Sequence, residues 1–402
     1  MNRSLRLFLI ALALAALAIA PILISGCASN AQPTPTPTRT PRPAVAAPIA
    51  TARPAVAVPS PTHTPAPTQA PPASPTVPPT PSATPSATST ATTPARAANA
   101  NPLTGLPVSD PKLLARRPLF IVVNNDPQAR TAHYGFAEAE LVYEYVMECL
   151  AVTRYTLVFL AAESERIGPV RSARLVNFYL TPQYGGALVS SGAGNDVRWW
   201  LKHKMPAPYL DIDLDDPGNN IYAFTVGANY MTRMQTITAR LRKWLADWKV
   251  EQDPKLSGFL FDAQAPAGAP AATARIAYPA AVTWTYDAAS GRYLRSMGAA
   301  AHNDAATGKQ LSAANVVIQT VPLEKTTYVE DSLGTTSIRI VTVGAGAATI
   351  LRDGVALAGQ WQADDANMPE FFDPAGKPIA LKPGNTWFEL VAPETAVTIG
   401  QQ

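Results

Sequence analysis

Apolar residues fall into blocks of two kinds along this chain, separated by a long stretch with no block at all. The first block, Leu7 to Ile24, is continuous and follows Arg3 and Arg6. A cationic flank, an apolar run and small residues leading to Cys27 make an export signal. Beyond Asn101 the blocks are short. Leu119-Phe120-Ile121-Val122-Val123 has the length of a buried strand and ends in the polar turn Asn124-Asn125-Asp126-Pro127. Leu141, Tyr143, Tyr145 and Met147 alternate with Val142, Glu144, Val146 and Glu148, and Thr153 to Phe159 alternates in the same way, which is the period of a strand. A hairpin closed by Cys149-Leu150-Ala151 sets Tyr145 against Tyr155 and Tyr143 against Leu157, so the apolar faces coincide. That register places Arg154 opposite Val146 and diagonal to Glu144 and Glu148.

Further along, Arg166 to Arg174 is a turn that leads into a helix through Leu175, Phe178 and Tyr179, and Ala187-Leu188-Val189 is another strand core. Met231, Met234, Ile237, Leu241, Trp244, Leu245 and Trp248 recur at three and four residues, predicting an amphipathic helix packed on the sheet. After the Gln264-to-Pro270 composition shift the pattern becomes that of strands: Val282 to Tyr286, Tyr293 to Ser296, Val316 to Gln319, Ser337 to Val343 and Thr349 to Arg352, with turns at Asp353-Gly354 and Asp373 to Gly376. The expected fold class is α+β: a mixed α/β domain over 101–262, then a β-rich domain of sandwich or barrel type over 263–402.

Composition changes the picture mainly at the N-terminus. Of 402 residues 40 are Pro, and these crowd the first quarter, as in Pro33-Thr34-Pro35-Thr36-Pro37. The segment 27–100 has too little apolar surface to offset backbone ordering and reads as a disordered tether, following a signal peptide at 1–26. In polyproline II it could reach about 200 Å at ~3.1 Å per residue. A net charge of +3 lacks the concentrated basic footprint of a nucleic-acid binder, so nucleic acid is not an expected partner. Four scattered histidines give no zinc spacing, and no cofactor motif is present.

The candidate chemistry is cationic. Arg171 and Arg174, three apart, would share a helix face, and planar guanidinium groups suit carboxylate or phosphate recognition. A cationic first helical turn opposes the helix dipole, which implies a bound anion or an acidic neighbour. With Asn125, Arg130, Arg154, Ser172 and an orienting Glu144, these residues form the candidate ligand site. Glu144 and Glu148 could alternatively serve as the acid pair of a glycoside hydrolase, although residues four apart on a strand are ~13 Å apart along it. Ser191 has no base in a diagnostic pattern, so no catalytic residue is assigned.

Ile24-Ser25-Gly26-Cys27 resembles the lipobox of bacterial lipoproteins, which implies cleavage before Cys27 and diacylation of its sulfur. The folded part resembles the YerB-like lipoproteins, a bacterial family of unknown biochemical function. The likeness lies in Asn101-Pro102-Leu103-Thr104-Gly105, Val123-Asn124-Asn125, Arg130, Tyr143-Glu144, Thr153-Arg154 and Gly168 to Arg174. It continues in His302-Asn303-Asp304, Gly308-Lys309-Gln310, Asn315-Val316-Val317 and Pro383 to Trp387. The family hairpin usually turns on Gly-Gly where this chain has Cys149-Leu150. The resemblance implies an α/β region, a β-rich region and an extracytoplasmic, lipid-anchored location, with the membrane as a partner through Cys27. The expected function is a binding or accessory protein for an anionic envelope component such as a cell-wall polymer. The alternatives are a cell-wall hydrolase using Glu144 or Glu148 and a scaffold for another envelope protein.

Overall fold

Strands from both ends of the chain interleave in one sheet. The computed structural model describes residues 97–401; Cys27, the signal segment and the tether up to residue 96 lie outside them. The first half supplies β1 (Leu119–Asn124), β2 (Leu141–Val146), β3 (Thr153–Phe159), β4 (Ala187–Ser190) and β5 (Tyr209–Asp211). Its helices are α1 (Leu175–Leu180), α2 (Asn195–His203), α3 (Ile212–Asp215) and α4 (Thr238–Asp247). The second half supplies β6 (Thr273–Ile276), β7 (Val282–Asp287), β8 (Arg292–Met297), β9 (Asn315–Thr320), β10 (Gly344–Arg352), β11 (Val355–Ala363), β12 (Glu370–Phe372), β13 (Thr386–Val391) and β14 (Val397–Gly400).

The large sheet has the order β12-β11-β10-β9-β13-β2-β3-β1-β4-β5. Strand β13 is the join: it pairs in parallel with β9 on one side and with β2 on the other. The sheet therefore runs across the 262/263 boundary expected between the two halves. Strands β1, β2, β4, β5, β9 and β13 all point one way, with β3 antiparallel between β2 and β1. A second sheet, containing β8-β7-β6-β14, covers one face together with α4. Helices α1 and α2 cover the other. The architecture is α+β with a β-rich C-terminal half.

Burial on both sides explains a change of register. Every residue of β1, β2 and β3 is buried, so alternation cannot single out one core face. The hairpin pairs Tyr143 with Thr156, Glu144 with Tyr155 and Tyr145 with Arg154, one residue away from the apolar match expected from sequence. The loop holds four residues between Met147 and Val152, whose backbones bond at 3.0 Å, and Leu150 takes a left-handed φ of 51°. A one-residue shift reverses which face each side chain shares. Glu144 and Arg154 consequently lie on opposite faces rather than the same one. The amphipathic helix also begins later than expected: Met234 sits in a short strand, and α4 starts at Thr238, burying Leu241, Trp244 and Leu245.

Candidate functional site

The seven site residues expected from sequence divide between the two faces of the sheet, near the carboxyl ends of its parallel strands. Arg154, Arg171, Ser172 and Arg174 gather on the α1 side. The segment carrying them is pinned on both flanks: Arg171 N–H donates to Val122 O on β1 at 2.9 Å, while Ala173 N–H donates to Gly192 O beyond β4 at 2.9 Å. Arg171 and Arg174 do not share a helix face, because the segment is extended and α1 begins only at Leu175.

The three guanidinium groups have unequal partners. Arg174 makes a two-point pair with Glu148, Nε to Oε2 and Nη2 to Oε1, both at 2.8 Å, with Glu330 3.9 Å away. This is the acidic neighbour that the unfavourable helix dipole called for. Arg154 Nη1 donates to Ser172 O at 2.9 Å, and Arg174 Nη1 approaches the same oxygen at 3.4 Å. Arg154 Nε is buried without a hydrogen-bond partner. Burial, followed by the nearby Arg174 charge, holds the Arg154 guanidinium down at about 9. Arg171 stacks with Cζ 4.1 Å from the Tyr230 ring centre, and its Nη2 lies 3.4 Å from Met231 Sδ. Among the described residues neither Arg154 nor Arg171 has a carboxylate within ion-pair distance. Tyr230 is half exposed.

Asn125 and Glu144 belong to the opposite face, in a network that sequence patterning did not assemble, with the Arg130 charge acting on its histidines and Arg130 Nε buried without a hydrogen-bond partner. Glu144 is fully buried, and one oxygen accepts from Thr153 Oγ1 at 2.5 Å. Asn125 Nδ2 donates to that same hydroxyl at 2.6 Å. The other Glu144 oxygen is paired with Arg295 of β8, itself fully buried. Thus Glu144 orients Arg295, not the arginines of the α1 side. Arg295 Nη1 contacts His302 Nδ1 at 2.5 Å, His302 Nε2 lies 2.7 Å from His133 Nδ1, and His133 Nε2 lies 2.8 Å from Asn124 O.

The tautomers follow from the donors. A guanidinium only donates, so His302 Nδ1 accepts and its Nε2 carries hydrogen. His133 then accepts at Nδ1 and donates from Nε2 to the Asn124 carbonyl. Both rings are neutral: burial, ahead of every other cause, lowers His133 to about 3 and His302 well below its usual range. Nearby cations, Arg295 and Arg130 among them, push the same way.

Glu389 completes this cluster. It is the direct neighbour of Glu144 in the β2/β13 pair and is fully buried, with Oε1 accepting from Trp284 Nε1 at 2.9 Å. Burial, then the Glu144 charge, raises Glu389 well above the usual carboxyl range. A protonated Glu389 adds no charge to the Glu144–Arg295 ion pair beside it. Of the residues that sequence reasoning missed, Glu389 had one legible signal: like Glu144 in Leu141–Val146, it is the single charge in an apolar strand, Thr386–Val391.

Other sequence candidates are occupied structurally. Ser191 Oγ donates to Asp213 at 2.7 Å, and His203 Nδ1 contacts Trp199 O at 2.9 Å. Among the described residues no cluster of His, Cys, Asp and Glu has a metal-holding arrangement, and no helix is long and apolar enough to cross a membrane.

Comparison with known proteins places the chain in a family. Residues 103–245 match the N-terminal domain, and residues 273–388 the C-terminal domain, of a family described as a protein of unknown function (DUF3048). A Bacillus subtilis (strain 168) protein, YerB, whose name proposes it as a lipoprotein, is 27% identical over 308 residues, covering 75% of this chain and 88% of its own. The crystal structure of YerB from Bacillus subtilis has the same fold with a TM-score of 0.63 at 23% identity, covering 74% of this chain and 98% of that one.

Proposed function

The chain belongs to the DUF3048 family of YerB-like proteins, and from that premise we propose that it is a lipid-anchored extracytoplasmic protein whose folded part binds an anionic component of the cell envelope. Cys27 is the anchor, acylated after removal of 1–26, and 27–100 is a tether that holds the binding surface away from the membrane. The signal-like N-terminus and the name of the YerB relative both support this location.

The observation that carries the binding role is the unequal pairing of the arginines. Arg174 is neutralised by Glu148 and acts as a fixed strut, whereas Arg154 and Arg171 bring two further positive charges beside it without a carboxylate of their own. Strand ends of this kind, where the parallel strands of a sheet release their loops, are the usual position of ligand sites in α/β sheets. A phosphate- or carboxylate-bearing polymer would supply the missing negative charge, with Tyr230 beside Arg171 as a stacking surface. A hydrolytic role for Glu144 or Glu148 has less support, since Glu144 is sealed against Arg295 and Glu148 is held by Arg174.

Sedimentation of the protein with purified cell walls tests the proposal. Wall binding that falls with added salt and drops at least tenfold in Arg171→Gln is the expected result. Unchanged binding in that variant overturns the site, and release of soluble muropeptides by the wild type would favour the hydrolase. Labelled palmitate incorporated into the wild type, but not into Cys27→Ala, is expected of the anchor.

A further inference from the structure

A second cleft opens at the other end of the sheet, by the amino ends of β2 and β13, and is independent of the arginine cluster. Its volume is about 450 Å³. One wall comes from the first half of the chain, including Asn101, Thr104 and Glu138; the other comes from the second half, through Arg292, Gly384 and Asn385. The two walls are tied where Gly384 N–H donates to Thr104 O at 2.8 Å.

Arg292 is held as a recognition group would be. Its Nε donates to Ser312 Oγ at 2.8 Å, and Nη2 donates to Ser312 O at 3.0 Å and to Asn385 Oδ1 at 2.5 Å. Asn385 is fixed in turn, its Nδ2 donating to Ser312 O at 3.0 Å. These bonds set the guanidinium plane and leave Nη1 without a hydrogen-bond partner among the described residues. No carboxylate pairs with Arg292 there, although burial weighs against its charge. Gly384 lets the second wall pack closely beside this group, since a Cβ there would meet Ala314 Cβ at 2.5 Å and lie 3.9 Å from Nη1.

The rest of the cleft defines what could fill it. Glu140 on its floor is buried and committed, accepting from the N–H groups of Leu160, Ala161 and Ala162 and from Asn101 Nδ2. Glu138 is exposed at the rim and makes no ion pair among the described residues. Leu106, Val108 and Leu113 add an apolar side. A preset cation, a separate free carboxylate and an apolar patch in one cleft match a molecule with a carboxylate, an ammonium and a hydrocarbon side chain.

We propose that this cleft binds a free α-amino acid, with its carboxylate on Arg292 Nη1, its ammonium towards Glu138 and its side chain on Leu106, Val108 and Leu113. Ligand-observed saturation-transfer NMR with the purified protein, using L-leucine, leucinamide, N-acetyl-leucine and alanyl-leucine, tests it. Leucine should give saturable transfer that leucinamide, lacking the carboxylate, does not compete away. Arg292→Gln should weaken leucine at least tenfold, with circular dichroism confirming its fold. Glu138→Gln, at an exposed position, should weaken leucine severalfold yet leave N-acetyl-leucine unchanged. Leucine binding more strongly than alanyl-leucine and N-acetyl-leucine is the expected order, and the reverse order would overturn the place of the ammonium at Glu138. Leucinamide competing as well as leucine, or no transfer from any carboxylate probe at 10 mM, on the order of the weakest useful affinities, overturns the proposal.

Discussion

Replacing Glu144 and Glu389 by Gln, one at a time, should give very unequal losses of stability, although the two residues are direct neighbours on parallel strands. Glu144 is the ion-pair partner of Arg295, and both side chains are fully buried. Removing one member of such a pair leaves an uncompensated charge and costs about 3–5 kcal/mol. Ionisation of Glu389 could offset part of this, setting a lower bound of about 2 kcal/mol. Glu389 is the neutral member, so Gln imitates it: the amide oxygen accepts from Trp284 Nε1, and the amide nitrogen donates to Glu144. Glu389→Gln should cost less than about 1 kcal/mol at neutral pH. The double variant loses the fallback and should cost more than the sum of the two.

The pH dependence gives an independent reading. The folded-state pKa of Glu389 is raised, so folding retains a proton that the unfolded chain gives up above about 4.3. Its contribution is full below that pH and declines by up to about 1.4 kcal/mol per unit as pH rises towards the folded value. Glu389→Gln lacks this decline and should gain on the wild type as pH increases. Urea unfolding between pH 4 and 8 measures both quantities. Equal losses in the two single variants, or a difference between wild type and Glu389→Gln that does not vary with pH, would refute the assignment of the proton.

Four further outcomes are expected. His133, lowered to about 3, adds stability that is present above the unfolded value of ~6.5 and is lost as pH falls; a His133→Gln variant should show a shallower acid limb in unfolding titrations. Arg174→Met leaves Glu148 unpaired beside Glu330 and should lower stability by about 3 kcal/mol in denaturant unfolding. Leu150→Gly should raise stability by up to about 1 kcal/mol, because Leu150 holds a φ of 51° that costs an L-residue more than glycine. Gly384→Ala should destabilise by about 2 kcal/mol or more, since its Cβ would meet Ala314 Cβ at 2.5 Å and no flexible end is there to yield.

The sequence was most informative where one signal acted alone. Leu119 to Val123 is a strand as its apolar run required, and the β-rich second half follows its turn spacing. The hairpin register was out by one residue because alternation chooses between a wet and a dry face, and this sheet has no wet face at β2 and β3. Leu150 hid the longer loop, since its left-handed backbone occupies a place where glycine would have announced the turn. The site was legible as a list but not as a partition. Arg154 and Arg171 do lie together, but the register step set Glu144 on the opposite face from Arg154, and Asn125 and Arg130, which follow β1, lie on that opposite face as well. Arg295, His302 and Glu389 arrive from distant strands, and local patterning carries no information about which solitary charge will meet which.

Strand β13 has a consequence for how the chain can be made. Synthesis delivers β2 long before β13, so until residues 386–391 emerge the first half carries an unpaired parallel edge at β2, the strand that holds Glu144. Such an edge is a template for other chains. A fragment ending before Thr386 would expose that edge permanently and lack Arg295's neighbour Glu389, whereas the full chain closes it only at the end. Strand β13 thus acts as the keystone of the sheet, and termination between β2 and β13 should yield aggregating rather than partly working protein.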